Sequence, residues 1–170
     1  MISKISNHHY RPAFFFTKIF QIIEFFKNEI KLNFTNLDIF NIFQSNKRIL
    51  LYLFEEQLLL PDRSLCNAIT EFRYLAKLYP EYFYPEFQSH YSRKIKEKIK
   101  NKHPEIFEIE PELFKQKRRI AENDNSICEL IRNDSIDDFI IYVNKQNISL
   151  NSRIERSIFE TNQFLLKYPF

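Results

Sequence analysis

The chain contains no glycine among its 170 residues. Average usage of about 7% would supply roughly a dozen. Glycine reaches positive φ without steric cost and lets a backbone approach a ligand closely. Two-residue hairpins lean on it, as do the G-x-G-x-x-G dinucleotide loop and the Walker loop. Its absence excludes the Rossmann and P-loop classes and argues against a hairpin-rich β protein. Helices joined by Pro, Asn, Asp and Ser corners remain. The chain is also rich in Phe, Ile, Asn, Lys and Tyr, has no Trp, and is poor in Ala. Those are residues with AT-rich codons, so the 19 Phe residues read as core filler rather than a specialised aromatic site.

A hydrophobic fraction of 44% and a charged fraction of 28% fit a soluble chain with a real core. The length suits one domain, or one domain plus a capping segment. A net charge of +3 does not require nucleic acid or a membrane surface as partner. Cys66 and Cys128 lie far apart on apolar helical faces, and no C-x-x-C occurs, so both read as buried reduced thiols. The start, "MISKISNHHYRPAFFF", lacks the order of a signal peptide. The run "FFFTKIFQIIEFF" is interrupted by Lys18, Gln21 and Glu24; a membrane span needs about 20 mostly apolar residues. An intracellular, cytoplasmic chain is expected.

Helical periodicity begins over residues 14 to 31, where Phe15, Ile19, Ile22, Ile23, Phe26 and Ile30 recur at three- and four-residue steps. A core helix is expected there; a membrane-surface helix has a similar pattern. Thr35 or Asn36 caps a short helix carrying Leu37, Phe40 and Phe43. Ser45 caps a helix over 47 to 60, which Pro61 stops. Asp62 or Ser64 starts a stripe of Leu65, Ile69, Phe72, Leu75, Ala76 and Tyr79, ended at Tyr79-Pro80. Pro85 opens a helix from 86 to about 102, with Phe87, Tyr91, Ile95 and Ile99 along one side. "HPEIFEIEPELF" reads as an irregular connector. A helix follows from Pro111 to about Ala121, and Asn123-Asp124-Asn125 turns the chain. Near the end, Ile154, Ile158, Phe159 and Leu165 support at most one short helix. The rhythm of helix, corner and helix suggests an array rather than a closed bundle.

Chemical signatures are lacking. His8 and His9 are adjacent, without the i, i+4 spacing of two ligands on one helix face, and His90 and His103 are isolated. Glu55-Glu56 and Asp137-Asp138 are neighbours whose side chains diverge on a helix, so neither pair is an acid/base dyad. No nucleophile or zinc-protease motif occurs. No catalytic, cofactor-binding or metal-ligating residue is assigned, no cofactor is implied, and an enzyme is not expected. Two basic runs, "RKIKEKIKNKH" at 93 to 103 and "KQKRR" at 115 to 119, read as solvated helix faces. The alternative is a basic helical domain binding nucleic acid or anionic membrane through residues 93 to 119. That alternative requires Lys94, Lys96, Lys98, Lys100, Lys115, Lys117, Arg118 and Arg119 to converge on one face. Sequons at Asn33, Asn133 and Asn147 would matter only in a secreted chain.

The stretch "NSICELIRNDSIDDFIIYVNKQN", 125 to 147, reads as two short helices around an Asn-Asp-Ser corner. Ile127, Leu130 and Ile131 are expected inward on the first. Asp134 or Ser135 caps the second, which carries Ile136, Phe139, Ile140 and Val143. Asn147 stands where a left-handed residue is wanted, and Asn tolerates that conformation best after Gly.

Residues 120 to 165, "IAENDNSICELIRNDSIDDFIIYVNKQNISLNSRIERSIFETNQFL", resemble the junction segment of ankyrin-repeat proteins from parasitic protists. Those proteins carry an ankyrin-associated domain of unknown function. "NEIKLNFTNLDIFNIFQSNKRILLYLFEEQLLL" and "YFYPEF" are similar to their N-terminal helical region. The resemblance implies an α-helical region leading into stacked ankyrin repeats, with protein–protein interaction and no catalysis. It defines no functional residues. Family members continue into full repeats, whereas this chain stops at "KYPF", as a fragment or a shortened gene product would.

The expected architecture is all-α and solenoid-like, with an N-terminal helical domain over 1 to 121. A degenerate ankyrin-type pair and a shortened end occupy 122 to 170. The expected function is a non-catalytic interaction module that caps or precedes an ankyrin array. Its protein partner is not identified by the sequence. Ile158, Phe159, Phe164, Leu165 and Leu166 are expected to form an exposed apolar end, open to self-association.

Overall fold

In the computed structural model of the chain, residues 13–75, 77–149 and 157–160 are described. Among them there are thirteen helical segments and no strand. In chain order these are α1 (Ala13–Phe25), α2 (Lys27–Asn33), α3 (Asn36–Phe43), α4 (Lys47–Glu55) and α5 (Arg63–Ile69). Next come α6 (Phe72–Leu75), α7 (Tyr79–Tyr82), α8 (Tyr84–Phe87), α9 (Arg93–Lys102) and α10 (Glu105–Glu108). Last are α11 (Pro111–Ile120), α12 (Ser126–Arg132) and α13 (Ile136–Lys145). No helix among the described residues is long and apolar enough to cross a membrane.

Local chemistry starts most of these helices. Thr35 and Asp38 form a reciprocal capping box at α3, a device worth about 1 kcal/mol. Asp62 caps α5 through the Leu65 amide, and Ser92 caps α9 through the Ile95 amide. Asn46, not Ser45, caps α4 by accepting from the Ile49 amide.

The helix ends solve the missing-glycine problem. At α4 the Leu58 amide donates to the Leu53 carbonyl and the Gln57 amide to Phe54. That is a Schellman closure, normally built on Gly at the left-handed position; here Gln57 takes φ 55°. The same pair of bonds closes α12 around Asp134 (φ 52°) and α13 around Asn147 (φ 50°). Asn147 is thus left-handed, as its position predicts.

Several expected helices are shorter than their patterns. The stripe over 14 to 31 breaks at Phe26, leaving Ile22 and Phe26 exposed, while Phe16, Ile19 and Ile23 are buried. The expected helix to residue 60 ends at Glu55, and Leu58 and Leu59 reach the core from the turn beyond it. Tyr79-Pro80 opens α7 rather than closing a helix, because Pro fits the first turn. Residues 86 to 102 do not form one helix but divide into α8 and α9; Phe87, Tyr91 and Ile99 are nevertheless buried, and Ile95 is half-buried. The connector at 103 to 114 contains the short α10.

One contiguous core runs from Phe16 to Phe159. Its centre is α4, in which Ile49, Leu50, Leu51, Leu53 and Phe54 are buried. α3 packs on α4 and α5, and α11 returns to pack on α4. Tyr79, Phe83, Phe54 and Phe87 form a chain of ring contacts through it, at 5.5 to 5.7 Å between centroids. Cys66 and Cys128 are both free and buried. α12 packs on α13, and their buried residues Ile127, Cys128 and Val143 lie outside the main core.

Ile158 and Phe159 depart from the expected exposed end. Both are buried in the main core, because their backbone and side chains meet partners on α4 and α11. Ile154, Phe164, Leu165 and Leu166 lie outside the described residues, as do His8, His9, Ala76 and the side chains of Phe15 and Phe72.

Candidate functional site

The first turn of α4 holds an ion where the pattern calls for an apolar residue. Lys47 precedes Leu50, Leu51 and Phe54 by three, four and seven positions, so it shares their buried stripe. It is 5% exposed. Its Nζ donates to the Ile158 carbonyl at 3.0 Å, and lies 5.1 Å from the Tyr82 ring centroid and 5.4 Å from that of Tyr79. Burial pushes the ammonium down to about 7, against the upward pull of the Glu81 and Glu160 carboxylates. Both carboxylates are themselves buried, and Glu81 Oε2 receives no hydrogen bond from the described residues. The Tyr79 hydroxyl donates to the Gln44 carbonyl at 2.6 Å, and the Tyr82 hydroxyl to the Arg118 carbonyl at 2.8 Å. Burial holds both phenols above their ordinary range.

A second buried cation adjoins it. Arg118 shares a stripe with Phe114 and Ala121, four before and three after, and is buried with them. Its Nη1 donates to both Glu86 oxygens at 2.7 and 2.9 Å and to the Tyr82 carbonyl at 3.2 Å. Tyr82 and Arg118 therefore hold each other's backbone. An amine titrating near 7 suits nucleophilic chemistry, but Lys47 faces a backbone carbonyl and two rings. Its present work is holding residue 158.

The convergence of cations that the basic alternative requires fails at Arg118, which points into the core and is not on a solvated face. Arg119 pairs with Glu55 at 3.0 Å, and Lys117 with Asp124 at 2.8 Å. On α9, Arg93 pairs with Glu97, while Lys94, Lys98, Lys100 and Lys102 are exposed and Lys96 is half-buried. The "KQKRR" run is thus largely neutralised by the fold.

The helix pair exposes what it was expected to hide. Ile131, Ile136 and Ile140 are exposed, along with Ile141, and Ile136 is 64% exposed. Among the described side chains of the pair, Ile127, Cys128 and Val143 are buried, with Leu130 and Phe139 half-buried. Ile136 and Ile140 are one turn apart and share a face. The pair has more apolar residues than its own contact can cover. Phe25 and Leu32, at 79% and 83%, are the most exposed large apolar side chains of the N-terminal helices.

No cluster of three His, Cys, Asp or Glu among the described residues could hold a metal ion. Lys47 and Arg118 were hidden to sequence reasoning by the default that charge faces water, although both sit in register with buried apolar neighbours. No protein-family model matches the chain, no curated protein is significantly similar to it, and no solved structure matches it.

Proposed function

We propose that the chain is a non-catalytic protein–protein interaction module whose docking edge is the α12–α13 pair. The observation that carries this is the exposure of Ile131, Ile136, Ile140 and Ile141 on two short helices. Isolated surface apolar residues are ordinary; four on one small unit are the mark of a surface that meets another. The occupant is a further helical unit stacked on this pair, as in an ankyrin-type array, so the solenoid-like character belongs to this end of the chain. Stacking buries in the neighbour what one pair leaves bare.

The competing reading is the cationic face of α9, with Lys94 and Lys98 one turn apart and exposed. Quantitative affinity capture separates the two, using the chain, Ile136→Glu/Ile140→Glu and Lys94→Glu/Lys98→Glu. The proposal expects protein partners to be lost with the first variant, kept with the second, and little changed by 0.3 M salt. Loss with the second variant alone, with steep salt dependence, would overturn it.

A further inference from the structure

Residues 157 to 160, Ser-Ile-Phe-Glu, are seated on the framework as a bound peptide is seated. Lys47, 111 residues away, captures the Ile158 carbonyl. Ser157 Oγ donates to Asp124 Oδ1 at 2.6 Å, and the other oxygen of Asp124 accepts from Lys117 Nζ at 2.8 Å. Phe159 meets Phe114 edge to face at 5.4 Å between centroids, with Lys117 Nζ 5.4 Å above its ring. The Phe159 amide donates back to Ser157 Oγ at 3.1 Å, which fixes the local bend. Glu160 is buried, and its charge acts on Lys47.

Two walls of this seat, α4 and α11, also contact each other directly, and the third is the corner that carries Asp124. Lys47 lies on α4, Phe114 and Lys117 lie on α11, and α4 packs on α11 directly. The segment itself has no helix or strand. It contributes one captured carbonyl, one hydroxyl, two apolar side chains and one carboxylate. A captured main-chain carbonyl flanked by side-chain seats is a way in which a protein can recognise a short peptide. A buried ion in a core wall is no stability device, since an apolar residue of similar volume does as well or better. Lys47 has a use if the wall must offer a donor to an incoming carbonyl.

We infer that the seat between α4, α11 and the 121–125 corner is a docking site for a bent Ser–apolar–aromatic–acidic peptide, which this chain fills in cis with residues 157 to 160. A free peptide of the same chemistry competes for it. The inference is independent of the α12–α13 edge.

The test uses the full chain carrying Ile158→Asp and Phe159→Ala, and a fluorescent peptide of residues 153 to 163. The peptide is expected to bind this variant at least tenfold more tightly than the wild type, whose seat is occupied. Adding Lys47→Met should weaken binding at least tenfold, and a peptide with the same two substitutions should not bind. Equal binding to variant and wild type, or none to a variant of unchanged helical circular dichroism, overturns the inference. In a second experiment the native segment is kept, and a specific protease site is placed between residues 150 and 156 of the full chain. After cleavage, the tail should exchange with labelled peptide while helicity is unchanged. A tail that leaves only when the helices melt would make it an integral part of the core and refute the docking site.

Discussion

Replacing Lys47 by Met should flatten the pH dependence of stability above neutrality. An unfolded lysine titrates near 10.5, and the buried ammonium near 7. Between those values the unfolded chain binds the extra proton, so stability rises with pH. Below 7 both states are protonated, and the burial cost is full and constant. The whole difference corresponds to about 5 kcal/mol, of which about 2 kcal/mol is recovered between pH 7 and pH 9. The charges that act on the amine are Glu81, Glu160 and Lys77. The Tyr79 and Tyr82 phenols beside it stay neutral across this window, because burial raises both. The raised Cys66 thiol opposes the trend, and the lowered Lys77 ammonium adds to it. Both remain in the variant, so the wild-type slope minus the variant slope isolates Lys47. Urea unfolding at pH 7, 8 and 9 measures it, with an unchanged m-value as the check on compactness. The height of the variant's curve is not diagnostic, since Met also strips the Ile158 carbonyl and the buried carboxylates of their cation. Parallel curves for wild type and variant would refute the assignment of a buried, proton-shedding lysine.

Other perturbations follow from the same contacts. Glu86→Gln leaves Arg118 buried without its carboxylate and should cost about 3 kcal/mol in urea unfolding; a change under about 0.5 kcal/mol would mean that the pair is not formed. Phe83→Ala in the central ring chain should cost about 3–5 kcal/mol, whereas exposed Leu32→Ala should stay within about 0.5 kcal/mol, both read as urea midpoints. Gln57→Gly removes left-handed strain of about 1–2 kcal/mol against a glycine entropy cost of about 0.5–1 kcal/mol. It should therefore raise the thermal midpoint, and a lowered midpoint would deny the left-handed closure of α4.

The sequence foretold what depends on near neighbours. Thr35 and Asp62 are caps because their oxygens reach amides three residues on. Phe87, Tyr91 and Ile99 are buried as apolar residues of one stripe would be, although a turn between α8 and α9 interrupts the helical repeat that suggested it. The lack of glycine pointed to helices, and the described residues contain no strand. What depends on distant contacts was not legible. Nothing local marks Phe26 or Thr70 as a break, since the stripe continues past both. On α13 the apolar residues Ile136, Phe139, Ile140, Ile141 and Val143 point several ways, so periodicity could not say which would meet α12. The burial of Ile158 and Phe159 rests on Lys47 and Phe114, far earlier in the chain. Lys47 and Arg118 had the register of core residues, and their charge masked it.

Hydrogen-exchange mass spectrometry of the full chain, with and without a captured partner, tests the interaction edge most directly. Protection concentrated in peptides covering residues 126 to 145, and absent from 93 to 102, is the predicted footprint. Protection confined to 93 to 102, with 126 to 145 exchanging as in the free chain, would contradict it.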